Sequence, residues 1–186
     1  MNPIKNKKDL ETTIDDIRNF AYLYLEKYSS SKQQLRTYLF KKLIKKKQKI
    51  SSKKEIFNLI DTVISSLVDQ KFLSDEYYSD AKSKAFLRRG YSLNKIRYNL
   101  IKRGIDEKYI KASISKIKEN ESDPDFFSAI KICKRRRIGP CREESNRPLF
   151  YKKDISILAR SGFSYEISKK VLEIPKKEFK KFCTML

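Results

Sequence analysis

The residues able to carry chemistry are few, and their spacing argues against most of it. Histidine is absent, which removes the commonest general base, the usual nucleophilic relays and the commonest zinc ligand. Cys133 and Cys141 are separated by seven residues with no Cys-x-x-Cys spacing. A zinc site would lack further ligands, so free thiols are expected. Acidic pairs stand at Asp15/Asp16, Asp75/Glu76 and Glu143/Glu144. Asp75 and Glu76 fall in a predicted first helical turn, where carboxylates offset the helix dipole; that outweighs a catalytic dyad. Pro124-Asp125 with lysines downstream is faintly nuclease-like, but such sites need strand context that this region lacks. No glycine-rich phosphate loop is present. The expectation is a protein that is not an enzyme, with no cofactor and no metal.

Cations are the chemistry that remains. Net charge is +21, which points to a polyanionic partner: nucleic acid, or a complex containing it. An AT-rich genome would also enrich Lys, Ile, Asn, Ser, Tyr and Phe, so the positions of the 12 arginines say more than the total of 44 cations. One cluster is Arg88, Arg89, Lys95, Arg97, Lys102 and Arg103; the other is Lys134, Arg135, Arg136, Arg137 and Arg142. A charge run is most often a solvated face. Here the arginine share is high against a lysine-rich background, and the guanidinium is the better fork for phosphate or carboxylate. Lys95 and Lys102 share a helical face with Arg103 beside it, and Tyr98 nearby could stack a base or anchor a protein contact.

These side chains must be held by helices, since strand signals are nearly missing. Hydrophobic residues make up 39%, enough for a packed core rather than wholesale disorder. No apolar run reaches bilayer-spanning length. The first ten residues are basic without the apolar core of a secretory signal. With three cysteines, a reducing cytoplasm is the expected location. Over 13–28, Ile14, Ile17, Ala21, Leu25 and Tyr28 recur at helical spacing. Ser31 and Gln34 fit a capping box ahead of a face of Leu35, Leu39 and Leu43. "SKKE" at 52–55 fits a second box, opening a helix with Ile56, Leu59, Ile60, Val63, Ile64 and Leu67 inward.

The pattern then repeats. At an offset of 61, Ser31 falls on Ser92, Leu35 on Ile96, Arg36 on Arg97, Leu39 on Leu100 and Lys42 on Arg103. At an offset of 72, "FLRRGYS" (86–92) falls on "LARSGFS" (158–164). Gly90 sits where a helix over about 75–89 must end in a left-handed residue. Ser92 caps the next helix, with Tyr91 placed to pack on Ile96 as a hydrophobic staple. Gly104 ends that helix after about eleven residues, and Asp106 caps a third. The third repeat opens at Ser122 or Asp123 as cap, with a proline in the first turn and Phe126, Ile130 and Cys133 inward. "KRRRIGPCREESNRP" reads as a cationic break, and the last helix follows Pro175 with Phe179 and Phe182 inward. The predicted fold is all-α: a tandem array of three three-helix, helix-turn-helix-like repeats, elongated or curved. The predicted division is a basic tail at 1–12 and repeats at 13–73, 74–120 and 121–186.

The stretch "FLSDEYYSDAKSKAFLRRGYSLNKIRYNLIKRGIDEKYI" (72–110) resembles the central block of the RecX family, bacterial regulators of the recombinase RecA. "YSSSKQQLRTYLFKKL" and "ILARSGFSYEISKKVL" resemble its flanking blocks, and "KRRRIGPCR" (134–142) is similar to a basic segment of some alphaproteobacterial members. The likeness covers about residues 14–175. The family usually has Arg, an aromatic and Ala after the Asp-Glu; here Tyr77, Tyr78 and Ser79 stand there, so no charge is carried over to Tyr77. Leu43 replaces the glycine found at 104, so the first middle helix is expected to run longer. A monomer is expected, and the resemblance implies a non-enzymatic modulator with the RecA nucleoprotein filament as partner. It implies binding in the filament groove and suppression of ATPase, strand exchange and repressor cleavage, in recombination, DNA repair and the SOS response. Single- or double-stranded DNA is a further partner and membrane is not. The competing expectation is a helix-turn-helix-like protein that binds DNA directly. Against it, Asn94 and Asn99 share no face with Arg97.

Overall fold

The computed structural model describes residues 13–45 and 52–186; the expected tail at 1–12 lies outside the described residues. Ten helices and no strand occur among the described residues: α1 (Ile14–Lys27), α2 (Lys32–Lys45), α3 (Lys53–Asp69), α4 (Asp75–Arg88), α5 (Leu93–Ile101), α6 (Glu107–Asn120), α7 (Pro124–Arg136), α8 (Arg147–Arg160), α9 (Tyr165–Leu172) and α10 (Lys176–Thr184). The all-α tandem reading holds. The chain divides into two units, Met1–Tyr78 and Ser79–Leu186, with the division inside α4.

In the first unit, α1 opens at Thr13, whose hydroxyl accepts from Asp16 N while Asp16 reaches back to Thr13 N. This capping box is additional to the two read from the sequence. Ser31 and Gln34 form the expected box, at 3.2 Å and 3.3 Å. Ser52 accepts from Glu55 N at 3.2 Å. Leu35, Leu39 and Leu43 are buried against Ile17, Ala21, Ile56, Ile60, Val63, Ile64 and Leu67, with Leu59 half-buried beside them. Asp75 is buried and accepts from the Lys32 N–H at 2.9 Å, so it does more than face its own helix dipole. Tyr78, buried, donates to Gln34 at 2.7 Å. α2 runs 14 residues against nine for α5, the expected consequence of Leu43 standing where α5 is followed by a glycine.

The second unit carries the glycine stops. Gly90 takes φ +78°, Gly90 N donates to Leu87 O and Tyr91 N to Phe86 O, the paired bonds of a Schellman turn. A Cβ on Gly90 would stand 3.1 Å from both Lys131 Cβ and Ser128 O of α7, so the stop also permits a close approach. Gly104 repeats the turn at φ +72°, and it takes up residues 102–104, which is why α5 is shorter than predicted. Ser92 caps α5 by accepting from Lys95 N at 3.1 Å. Tyr91 stacks on Phe86, the ring centroids 5.2 Å apart and the planes parallel to within 1°. Asp106 occupies the N-cap of α6, but its side chain makes no capping bond, contrary to the expected role. Between α4 and α6, Ser113 bonds to Ser79 (2.9 Å) and Asp80 (2.5 Å), and Lys116 reaches Asp80. Ser79 is thus fully buried and partnered.

The last part departs from a plain three-helix repeat. α8, α9 and α10 stand in the order of the earlier triplets, and α7 is an added helix ahead of them. Asp123, not Ser122, caps α7, with Pro124 first in the helix. The cationic break is ordered. Arg137 takes φ +53°, a glycine's role, and Ile138, Gly139 and Pro140 are buried. Ser164 caps α9 as Ser31 and Ser92 cap α2 and α5, so the three aligned serines hold one structural post.

Candidate functional site

Helix α5 turns Ile96 and Leu100 fully inward. Helical geometry then puts Asn94, Arg97, Tyr98 and Ile101 outward; Lys102 follows, exposed, in the turn after the helix. Tyr98 is 64% exposed and Ile101 52%. The cations around them are placed unequally. Arg97 forms a 2.9 Å ion pair with Glu107 of α6. Arg103 donates to Asn99 O at 2.8 Å, and its guanidinium lies over Phe86. The Lys95 ammonium stands 5.0 Å over the Tyr91 ring. Arg88, Arg89 and Lys102 are exposed. A groove of about 490 Å³ runs beside Arg97, lined also by Asn94, Lys118, Asp123 and Ile167; Asn94, three residues before Arg97, shares its face after all, contrary to the expectation from sequence.

The second cluster divides. Arg135 donates to Arg89 O at 2.9 Å, which brings it to the first cluster, and Arg136 and Arg137 are exposed. Arg142 is half-buried and already committed within the chain. Its guanidinium makes two bonds to Asp154, at 2.8 Å and 2.9 Å, and lies over Phe150. Asp154 is buried and also accepts from Gly139 N, and the hydrogen bond to Asp154 pushes Arg142 further above its ordinary pKa. Arg142 is therefore a clamp on the loop before α8, whose fork is already filled.

No group of three or more His, Cys, Asp or Glu residues placed to hold a metal occurs among the described residues. Burial raises the pKa of Cys133, Cys141 and Cys183, so the thiol form dominates and the thiolate nucleophile is suppressed. Ile101 was not singled out by the cation pattern. Its signal was available: it follows Leu100 by one residue, a turn of about 100° off the buried stripe, where an apolar residue has no core to enter.

The fold and this surface define a class: all-helical repeat proteins with a cationic, partly apolar helix face. No family model matches the chain. It is 28% identical over 164 residues to the regulatory protein RecX of Myxococcus xanthus, an alignment covering 84% of each chain. It is 24% identical over 161 residues to the regulatory protein RecX of Agrobacterium fabrum, covering 87% of this chain and 84% of the relative. The crystal structure of RecX from Lactobacillus salivarius superposes with a TM-score of 0.62 at 18% identity, over 90% of this chain and 97% of that one. A second crystal structure of a regulatory protein RecX gives 0.58 at 18% identity, over 87% and 74%. The chain is thus similar to regulatory RecX proteins over most of its length.

Proposed function

We propose that this chain regulates RecA by binding the RecA–DNA filament through the face around α5, performing no catalysis of its own. The observation that carries the reading is the gathering of Arg88, Arg89, Lys95, Arg97, Lys102 and Arg103 about one nine-residue helix in a chain similar to RecX proteins. Arg135, Arg136 and Arg137 extend that surface, and Arg142 is left out because Asp154 already fills its fork. A filament groove lined by acidic protein surface and phosphate is the complementary partner. The chain acts as a cytoplasmic monomer with repeats at 13–73, 74–120 and 121–186. It touches DNA within the filament and no membrane; no helix among the described residues is long and apolar enough to cross one.

The test is RecA ATPase on single-stranded DNA. Inhibition is expected at or below stoichiometric amounts. Arg88→Glu, Arg89→Glu and Lys102→Glu together should weaken it at least about tenfold, because each reversal sets a carboxylate against an acidic groove. All three side chains are exposed, so the variant should melt like the parent. Inhibition seen only when the protein saturates bare DNA would transfer the assignment to direct DNA binding. That mode would also lose about 0.7 log units of affinity per log unit of salt for each phosphate neutralised.

A further inference from the structure

Tyr98 and Ile101 form an exposed apolar pair on α5. Aligned on Ser31 and Ser92, Ile101 corresponds to Phe40, and Phe40 stacks on Phe57 of α3 at 4.4 Å with the planes 11° apart. Aligned on the caps Ser52 and Asp106, Phe57 corresponds to Lys111, which is exposed. Repeat one therefore covers this position with its own third helix, and repeat two leaves it open. In α9 the residues matching Tyr98 and Ile101 are Lys170 and Glu173, so that helix offers no apolar patch there. α5 also carries no carboxylate of its own.

Resting on the reading that the chain binds the RecA filament, we infer that Tyr98 and Ile101 form the apolar anchor of that interface, and that they enter a pocket in protein, rimmed by carboxylates, rather than contacting DNA. Isoleucine has no π face to stack a base and no polar atom for a phosphate; nucleic acid offers it only a thymine methyl or a wedge between base steps, whereas an apolar protein pocket buries the whole side chain. Tyrosine supplies a large rigid ring with a polar end, the composition of interface hot spots, and Arg97 and Lys102 stand at its sides. The cations supply charge complementarity to an acidic rim, and the lack of acidic residues on the helix keeps that complementarity intact.

The experiment measures binding of the full chain to two targets, RecA filaments assembled on single-stranded DNA and the same DNA alone. Tyr98→Ala with Ile101→Ala should weaken filament binding about 30-fold or more and leave bare-DNA binding within about twofold. Ile101→Lys separates the two chemistries, because an added cation strengthens contact with phosphate and spoils an apolar pocket: filament binding should fall while DNA binding holds or rises. Tyr98→Phe should keep most filament affinity. If the double variant binds the filament as well as the parent, or if both targets are lost in parallel, the anchor assignment fails while RecA regulation stands. If the parent does not bind the filament at all, the functional reading itself fails and takes the anchor with it. Unchanged melting of each variant, expected of exposed positions, assigns any loss to the interface.

Discussion

Helices α2 and α5 are built from the same parts and finish differently. Each is capped by a fully buried serine, Ser31 or Ser92. Each has its first amide taken by an aspartate from the start of the following helical group: Lys32 N by Asp75 at 2.9 Å, and Leu93 N by Asp125 at 2.7 Å. Each buries two aligned side chains, Leu35 with Leu39 and Ile96 with Leu100. The outer faces diverge. Arg36 closes onto α3, with both fork bonds to Asp61 at 2.7 Å and its guanidinium over Phe57. Arg97, its counterpart, meets Glu107 at the start of α6 and stays half exposed. In a tandem array the positions that repeat hold the helix, and the positions that differ are free for a partner. Function is therefore best sought where the repeats disagree.

The largest way to break the shared scaffold is at Gly162. Its φ is +87°, and a Cβ would stand 2.5 Å from Ser92 Oγ, 3.2 Å from Lys95 Cβ and 3.3 Å from Lys95 N. Ser92 Oγ cannot yield freely, because it caps α5 and donates to Ser161 O at 3.0 Å. Gly162→Ala thus combines left-handed strain with overpacking and should cost about 2–4 kcal/mol, read as a drop in the urea midpoint. An α5 whose cap had slack would show less than about 1 kcal/mol.

Next is the aspartate on the first amide. Asp125→Ala leaves the Leu93 N–H without its acceptor and should cost about 1–2 kcal/mol. Asp125→Asn keeps an oxygen there and should cost less. The titration sharpens the test. Burial raises the Asp125 carboxyl above its ordinary pKa and Asp123 adds to the rise, while the bond from Leu93 N and the charge of Lys118 oppose it. The folded state then holds the proton more tightly than the unfolded chain. This group's contribution is full below the ordinary carboxylate pKa and is lost as pH rises through the raised folded value. Urea midpoints across that window should show a falling component in the parent that is missing in Asp125→Asn.

These devices also mark what could be read from residues alone. Caps, stops and core stripes were legible because each is local: Ser31 with Gln34, Gly90 before Ser92, Leu35-Leu39-Leu43. The cap at Thr13 is equally local but carries a weaker signal, because its partner is Asp16 rather than the glutamate or glutamine of the usual box. Pairings across distance were not legible. Nothing in the sequence places Asp154 under Arg142 or Glu107 beside Arg97, since the partners stand 12 and ten positions apart and the chain between them must fold first. The candidate residues are therefore of two kinds, exposed or half-buried cations about α5 and an Arg142 whose fork is filled. The cation pattern found α5 but could not tell a filled guanidinium from an exposed one.

A smaller pair of changes tests the divergence of the outer faces. Arg36→Ala removes a half-exposed bidentate pair and a cation–π contact, so about 1 kcal/mol of stability should go, with RecA inhibition unchanged. Arg97→Ala should do the reverse, costing at most about 0.5 kcal/mol in the melt and several-fold in inhibition. Equal profiles for the two would mean that the counterparts have not diverged.

The smallest effect expected is at Lys71. Helix α3 ends as α4 does, with Lys71 N donating to Val68 O and Phe72 N to Leu67 O. The left-handed residue is lysine at φ +61°, where α4 uses Gly90. A Cβ in that conformation clashes with the neighbouring carbonyl, a strain of about 1 kcal/mol that glycine avoids. Glycine also frees the unfolded chain, which offsets part of the gain. Lys71→Gly should therefore raise stability by about 0.5 kcal/mol, visible as a higher urea midpoint at unchanged slope. The side chain is exposed, so RecA inhibition should not move. A fall in the midpoint would mean that lysine is kept there for a contact of its own rather than tolerated, and the helix stops of the first and second repeats would then differ in kind and not only in residue.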